Sequence, residues 1–196
     1  MRFSHTMRPM ASDAAVPTLL DTLVPTWTDR TVHGLDVAAS PERVAAAIRA
    51  TSLDDAHVAR LLVAVRTFGA SLGQHKPFVE TGDFEPGFVR LGETEREVCL
   101  GFIGRPWPGG EPGDSVYTAE EFVAAEALDQ VKVAVSIRCA GADYGTLLIT
   151  ESRIVVGPLA KRHFGLYWRL VKPASSLVRS SLLRAIARQA EGGTLS

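Results

Sequence analysis

The chain has little with which to build a disulfide scaffold, a metal centre or a membrane span. Cys99 and Cys139 are the only cysteines in 196 residues. They lie far apart and without metal-ligand spacing, which excludes a disulfide framework and points to reduced thiols. No apolar run approaches the roughly 18–20 residues of a membrane-spanning helix. Residues 1–18 carry Arg2 and Arg8 but no apolar core of the kind a signal peptide needs. A cytoplasmic location is the expectation. The formal charge is only −1, so the basic excess of a dedicated nucleic-acid binder is missing, and no nucleic-acid partner is expected. Catalytic templates are absent as well. There is no phosphate-binding glycine loop, no nucleophile elbow, no H-E-x-x-H and no C-x-x-C. No cofactor or metal is implied, since Asp54 and His57 alone make a weak ligand pair.

What remains is an ordinary globular composition, 46% apolar and 22% charged, too apolar and too weakly charged for disorder. One domain is expected over residues 31–191. An irregular arm at 1–30 would precede it and a short tail at 192–196 would follow. Leu19–Trp27 is an apolar lead-in broken by Pro25, read as irregular or as a short helical turn. Thr31–Ala39 alternates, with His33, Leu35, Val37 and Ala39 on one face, and predicts a strand. Ser40-Pro41-Glu42 is a helix start, with a capping hydroxyl, a proline at the first helical position and an acid at the positive end. The helix Pro41–Ala50 follows. A second short helix is predicted from Ser52, since Val58, Leu61, Leu62 and Val65 recur at helical spacing. Residues 69–87 read as loop, with room for a short strand near Phe78.

The period then changes to two. Phe88–Glu93 and Arg96–Gly104 predict a hairpin around Glu93-Thr94-Glu95. The prolines of Arg105–Ser115 exclude a central strand and leave an exposed loop carrying Trp107. Glu121–Glu126 is read as a strand, as are Val131–Cys139 and Gly145–Val156, with a turn at Gly141-Ala142-Asp143. After Pro158, Phe164, Tyr167, Trp168 and Val171 open a long helical stripe that Val178, Leu182 and Ile186 continue to about residue 190. Pro173 is expected to kink or interrupt it. The class is therefore α+β: a curved antiparallel sheet of about six or seven strands around a long C-terminal helix, with two short helices after the first strand. Such curvature can leave a cavity between helix and sheet.

Three stretches resemble the START-like helix-grip superfamily (SRPBCC), which includes polyketide cyclases, lipid-transfer proteins and plant pathogenesis-related proteins. Val37-Ala38-Ala39-Ser40-Pro41-Glu42-Arg43-Val44 resembles the strand-to-helix junction, and Thr150-Glu151-Ser152-Arg153-Ile154 the last strand. His163-Phe164-Gly165-Leu166-Tyr167-Trp168, with Pro173-Ala174-Ser175-Ser176-Leu177-Val178-Arg179, resembles the C-terminal helix of bacterial members. The resemblance spans roughly residues 30–191, and its motifs are structural rather than catalytic. It implies binding of a small hydrophobic or amphipathic ligand. A polyketide cyclase or aromatase-like enzyme and a non-catalytic interaction module are the rival expectations. The oligomeric state is left open.

The candidate cavity residues each carry two readings. His33 could bind or protonate a ligand, or be a hydrogen-bonded core histidine. Arg138 and Glu151 could meet across adjacent strands, as a polar pocket mouth or a surface pair. Phe102, Phe122, Phe164, Tyr167 and Trp168 could be pocket wall or plain core. Trp107 could be a lid or could tuck inward. Glu93, Glu95 and Glu97, with Asp83 and Glu85, read as a solvated acidic stretch. Lys161, Arg162, Arg169, Lys172, Arg179, Arg184 and Arg188 make the last helix basic. They read as a solvated face or as a surface for an anionic partner.

Overall fold

The computed structural model describes residues 17–52, 88–110 and 118–192. Among them five strands form one antiparallel sheet, β1 (Asp29–Val37), β2 (Val89–Glu93), β3 (Glu97–Gly104), β4 (Val131–Ala142) and β5 (Gly145–Val156). Their order is β1-β5-β4-β3-β2. Four helices accompany them: α1 (Leu19–Leu23), α2 (Pro41–Ala50), α3 (Ala119–Ala124) and α4 (Lys161–Gly192). The long final helix against an antiparallel sheet is the helix-grip arrangement that the resemblance implied.

The β4–β5 hairpin is the spine of the sheet, paired without a break from Val131↔Val156 to Ala142↔Gly145. Gly145 closes it at φ 128°, where a Cβ would sit 2.5 Å from the Val37 carbonyl oxygen, so only glycine fits. The inward row holds Val98, Leu100, Ile137, Cys139, Leu148, Leu35 and Val37. It packs against Val44, Ala47 and Ile48 of α2 and Leu182, Leu183 and Ile186 of α4. Nearer the start of α4, Phe102, Val131, Ile154 and Val156 meet Ala160 and Phe164. The other face of the sheet is covered too. Cys99, Ala134 and Leu91 pack under Leu20, Leu23 and Val24 of the α1 segment and Phe122 of α3. That double cover explains why β3 is buried almost throughout its length.

Local chemistry agrees with these elements. Ser40 Oγ accepts the Arg43 N–H at 3.4 Å, with Pro41 at the first helical position, so α2 begins where its caps predict. Arg49, at its far end, donates to Glu93 at 2.6 Å and to the carbonyls of Thr94 and Glu95. It thereby ties the β2–β3 turn to α2.

Four expectations change. Residues 121–126 contain no strand: Thr118 and Glu121 form a reciprocal capping box that starts α3. The strand count therefore falls to five among the described residues. Pro173 does not interrupt α4, which runs through it. Both Pro173 and Arg169 are exposed, so the Arg169 carbonyl that loses its helical partner can be hydrated. The hairpin turn falls at Asp143-Tyr144 instead of 141–143. Finally, β1 begins at Asp29, two residues before the expected Thr31; of the two readings of Leu19–Trp27 the short helical turn holds, as α1 with Leu20 fully buried. The expected second helix, the loop over 69–87 and the pair Asp54 and His57 lie outside the described residues.

Candidate functional site

Strand alternation decides which side chains can meet α4. Thr31, His33, Leu35 and Val37 line one face of β1. His33 is the register partner of Thr150 on β5, and Thr31 of Ser152. Directly opposite residues in an antiparallel pair hold their Cβ atoms roughly 5 Å apart. From α4, Arg179 reaches down to this row, and its Nη1 donates to Ser152 Oγ. Arg179 is only 4% exposed, although sequence placed it among surface charges. The result is a polar band of His33, Thr150, Ser152 and Arg179 across β1, β5 and α4.

Much of that band is incompletely satisfied. His33 Nδ1, Thr150 Oγ1 and Trp168 Nε1 are buried, with no hydrogen-bond partner among the described residues. Leaving such a group unpaired costs about 1–3 kcal/mol. Burial lowers the His33 pKa below its ordinary 6.5, and the Arg179 charge adds to the effect. The imidazole is therefore neutral near pH 7, offering one donor and one acceptor nitrogen. Trp168 lies three helical turns before Arg179, about 16 Å along the axis. It stacks on Phe164 with centroids 5.5 Å apart. Phe88 and Phe102 stack at 5.4 Å beside them, and Tyr167 packs on the same cluster. An aromatic wall thus adjoins a polar band beneath one helix.

Trp107 does not stand out as an exposed tip. It is half-buried, packs on the aromatic cluster and stacks over His163 at 6.1 Å. Phe122, Arg138 and Glu151 do not join the site, because they belong to the opposite face of the sheet. Thr150 and Ser152 face α4, so Glu151 between them faces α1. Ile137 and Cys139 likewise turn Arg138 outward, and Phe122 comes from α3.

On that far face Glu151 organises a separate ionic network. It accepts from Arg30 at 2.7 and 3.1 Å, from Arg153 at 2.9 Å and from Arg138 at 3.4 Å. Burial raises the Glu151 pKa, but hydrogen bonds from Arg30 and Arg153 outweigh it, and the net shift is downward. Arg153 also donates to the Leu20 and Val24 carbonyls, both at 3.0 Å, and to Asp21 at 2.7 Å. A buried guanidinium therefore caps the C-terminus of α1. Glu97, expected to be solvated, is buried there too, taking the Leu19 N–H at 3.0 Å and the Ser136 hydroxyl. The sequence-expected Arg138–Glu151 contact is made, but as scaffold holding α1 on the sheet. Thr150, Ser152 and Arg179 were the residues missed. The signal for Thr150 and Ser152 was the run of hydroxyls at even positions of β5, on the same face as Leu148 and Ile154.

No group of three or more His, Cys, Asp or Glu side chains suited to a metal occurs among the described residues. No described helix is long and apolar enough to cross a membrane.

The described residues thus form an α+β protein in which one antiparallel sheet packs on a long C-terminal helix. Hypothetical protein jhp0584 from Helicobacter pylori is similar at 9% identity and TM-score 0.43, over 91% of this chain and 97% of that one. Norcoclaurine synthase from Thalictrum flavum is similar at 12% identity and TM-score 0.38, over 82% and 91%. The di-domain aromatase/cyclase StfQ of the steffimycin biosynthetic pathway is similar at 11% and 0.38, over 83% and 51%. No protein-family model and no curated protein matches the chain.

Proposed function

We propose that the protein binds a small apolar or amphipathic molecule in the seam between the sheet and the first half of α4. The aromatic wall of Phe102, Phe164, Tyr167 and Trp168 takes the apolar part, at about 25 cal/mol per Å² removed from water. His33 and Thr150 orient the polar end. The observation that carries this reading is the register pair of half-buried His33 and buried Thr150, whose Nδ1 and Oγ1 atoms are shielded from solvent and unpartnered among the described residues. Unpartnered polar atoms on the core face lower stability, and such defects are retained where a ligand uses them.

The test follows from that cost. Thr150→Val removes an unpartnered hydroxyl at nearly constant volume. It should stabilise the ligand-free protein by about 1 kcal/mol while weakening saturable binding of anilinonaphthalene sulfonate. A Thr150→Val protein that is less stable, or that binds the probe as well as wild type, would defeat the reading. Proton transfer on a bound substrate is a second reading, favoured by the neutral imidazole of His33. It predicts a His33→Gln variant that still binds but does not turn over.

A further inference from the structure

The outward side of α4 is as informative as its buried side. Leu166, Leu170 and Leu177 are 69%, 75% and 57% exposed, and Leu159, just before the helix, is 73% exposed. At 3.6 residues per turn the three helical leucines fall within an arc of about 40°, opposite Phe164, Leu182 and Ile186. They extend about 16 Å along the axis. A surface helix normally carries polar residues on that side, so α4 is apolar on two opposed faces over its first half.

The rim of this stripe has one sign of charge. Arg162 and Arg169 border the leucines along one side, Arg184 continues their line, and no Asp or Glu occurs between Glu151 and Glu191. Lys172 is neutralised by Asp29 at 2.8 Å and Arg179 is buried. Arg162 and Arg169 are exposed and make no salt bridge among the described residues.

We infer that this face of α4 docks on an anionic lipid surface. Leucines in line with arginines match an interfacial helix, in which apolar side chains enter the headgroup boundary and basic ones meet acidic lipid. A second copy of the chain fits poorly, because pairing two such stripes would align arginines with no carboxylate between them. Nucleic acid would use the arginines but leave the leucines idle. The inference stands apart from the ligand-binding proposal, since it uses only the outward residues of α4.

Co-sedimentation of the full-length protein with phosphatidylcholine vesicles, with and without phosphatidylglycerol, tests it. Binding should require phosphatidylglycerol and weaken with added salt. Removing both arginines (Arg162→Gln with Arg169→Gln) should weaken it about 30-fold, at about fivefold per charge. Leu166→Gln with Leu170→Gln should abolish binding while leaving the melting curve unchanged, because both side chains face solvent. If that double variant melts earlier, the single Leu170→Gln replaces it. The inference is overturned if the wild type does not bind, if neutral and acidic vesicles bind alike, or if the leucine variants bind as wild type does. It is equally overturned by a dimer that Leu170→Gln dissolves, or by duplex DNA binding that survives the leucine changes.

Discussion

Removing the Glu151 carboxylate is the sharpest way to separate scaffold from site. Its side chain is 1% exposed and that of Arg153 is 6%. Glu151→Ala leaves the Arg153 guanidinium buried with Asp21, the Leu20 and Val24 carbonyls and the Trp27 ring as its remaining partners. Breaking a buried pair from one side costs about 3–5 kcal/mol. The surviving Asp21 contact at 2.7 Å argues for the lower end. In a domain of this size about 3 kcal/mol lowers Tm by about 6–12 °C. Urea denaturation followed by far-ultraviolet circular dichroism measures the loss directly. Combining Glu151→Leu with Arg153→Met should cost less than the two single changes added together, because neither charge is left stranded. Probe binding well below the transition should be unchanged, since Glu151 faces α1 and not α4. A Glu151→Ala protein within about 1 kcal/mol of wild type would refute the idea that this network holds α1. Lost binding with intact stability would refute the assignment of faces.

Further outcomes follow from the same geometry. The folded-state pKa of His33 lies below 6.5, so as pH falls the unfolded chain takes up that proton first. Its contribution is complete above pH 6.5 and is lost as pH falls toward the folded pKa, so His33→Phe should flatten the drop in urea midpoint between neutral pH and about pH 5. Burial pushes the thiols of Cys99 and Cys139 upward, and a thiol reagent at mildly alkaline pH should label neither until denaturant is added. Gly157→Ala places a Cβ 1.7 Å from the Ala127 carbonyl oxygen and 2.5 Å from that of Leu128, so a loss of about 3 kcal/mol is expected in the same urea assay.

Local signals carried most of the fold. The Ser40-Pro41-Glu42 cap located α2, period-two alternation located β1, β4 and β5, and the Phe164–Ile186 stripe located α4. Where they failed, a competing local rule won. The Thr118–Glu121 capping box made a helix of 119–124, though its short apolar run also fits a strand. Candidate residues were harder to place, because sequence shows which positions alternate but not which face meets which helix. Cross-strand reach pairs Arg138 with Glu151, and Phe122 is one of few aromatic residues, but neither fact names a face. The pleat sends Arg138 and Glu151, and α3 brings Phe122, to the side of the sheet away from His33. Arg179 looked like one more basic residue on a solvated helix. Only its angular position, shared with Leu182 and Ile186, carries it into the core.

The seam beneath α4 is proposed to hold a small molecule oriented by His33 and Thr150. Native mass spectrometry of the freshly purified protein addresses it most directly, with Thr150→Phe filling the seam as the comparison. A one-to-one adduct is expected on the wild type, lost on denaturation and missing from Thr150→Phe that retains the wild-type circular dichroism spectrum. Bare wild-type protein that also fails to take up anilinonaphthalene sulfonate, or an adduct equally present on folded Thr150→Phe, would contradict it.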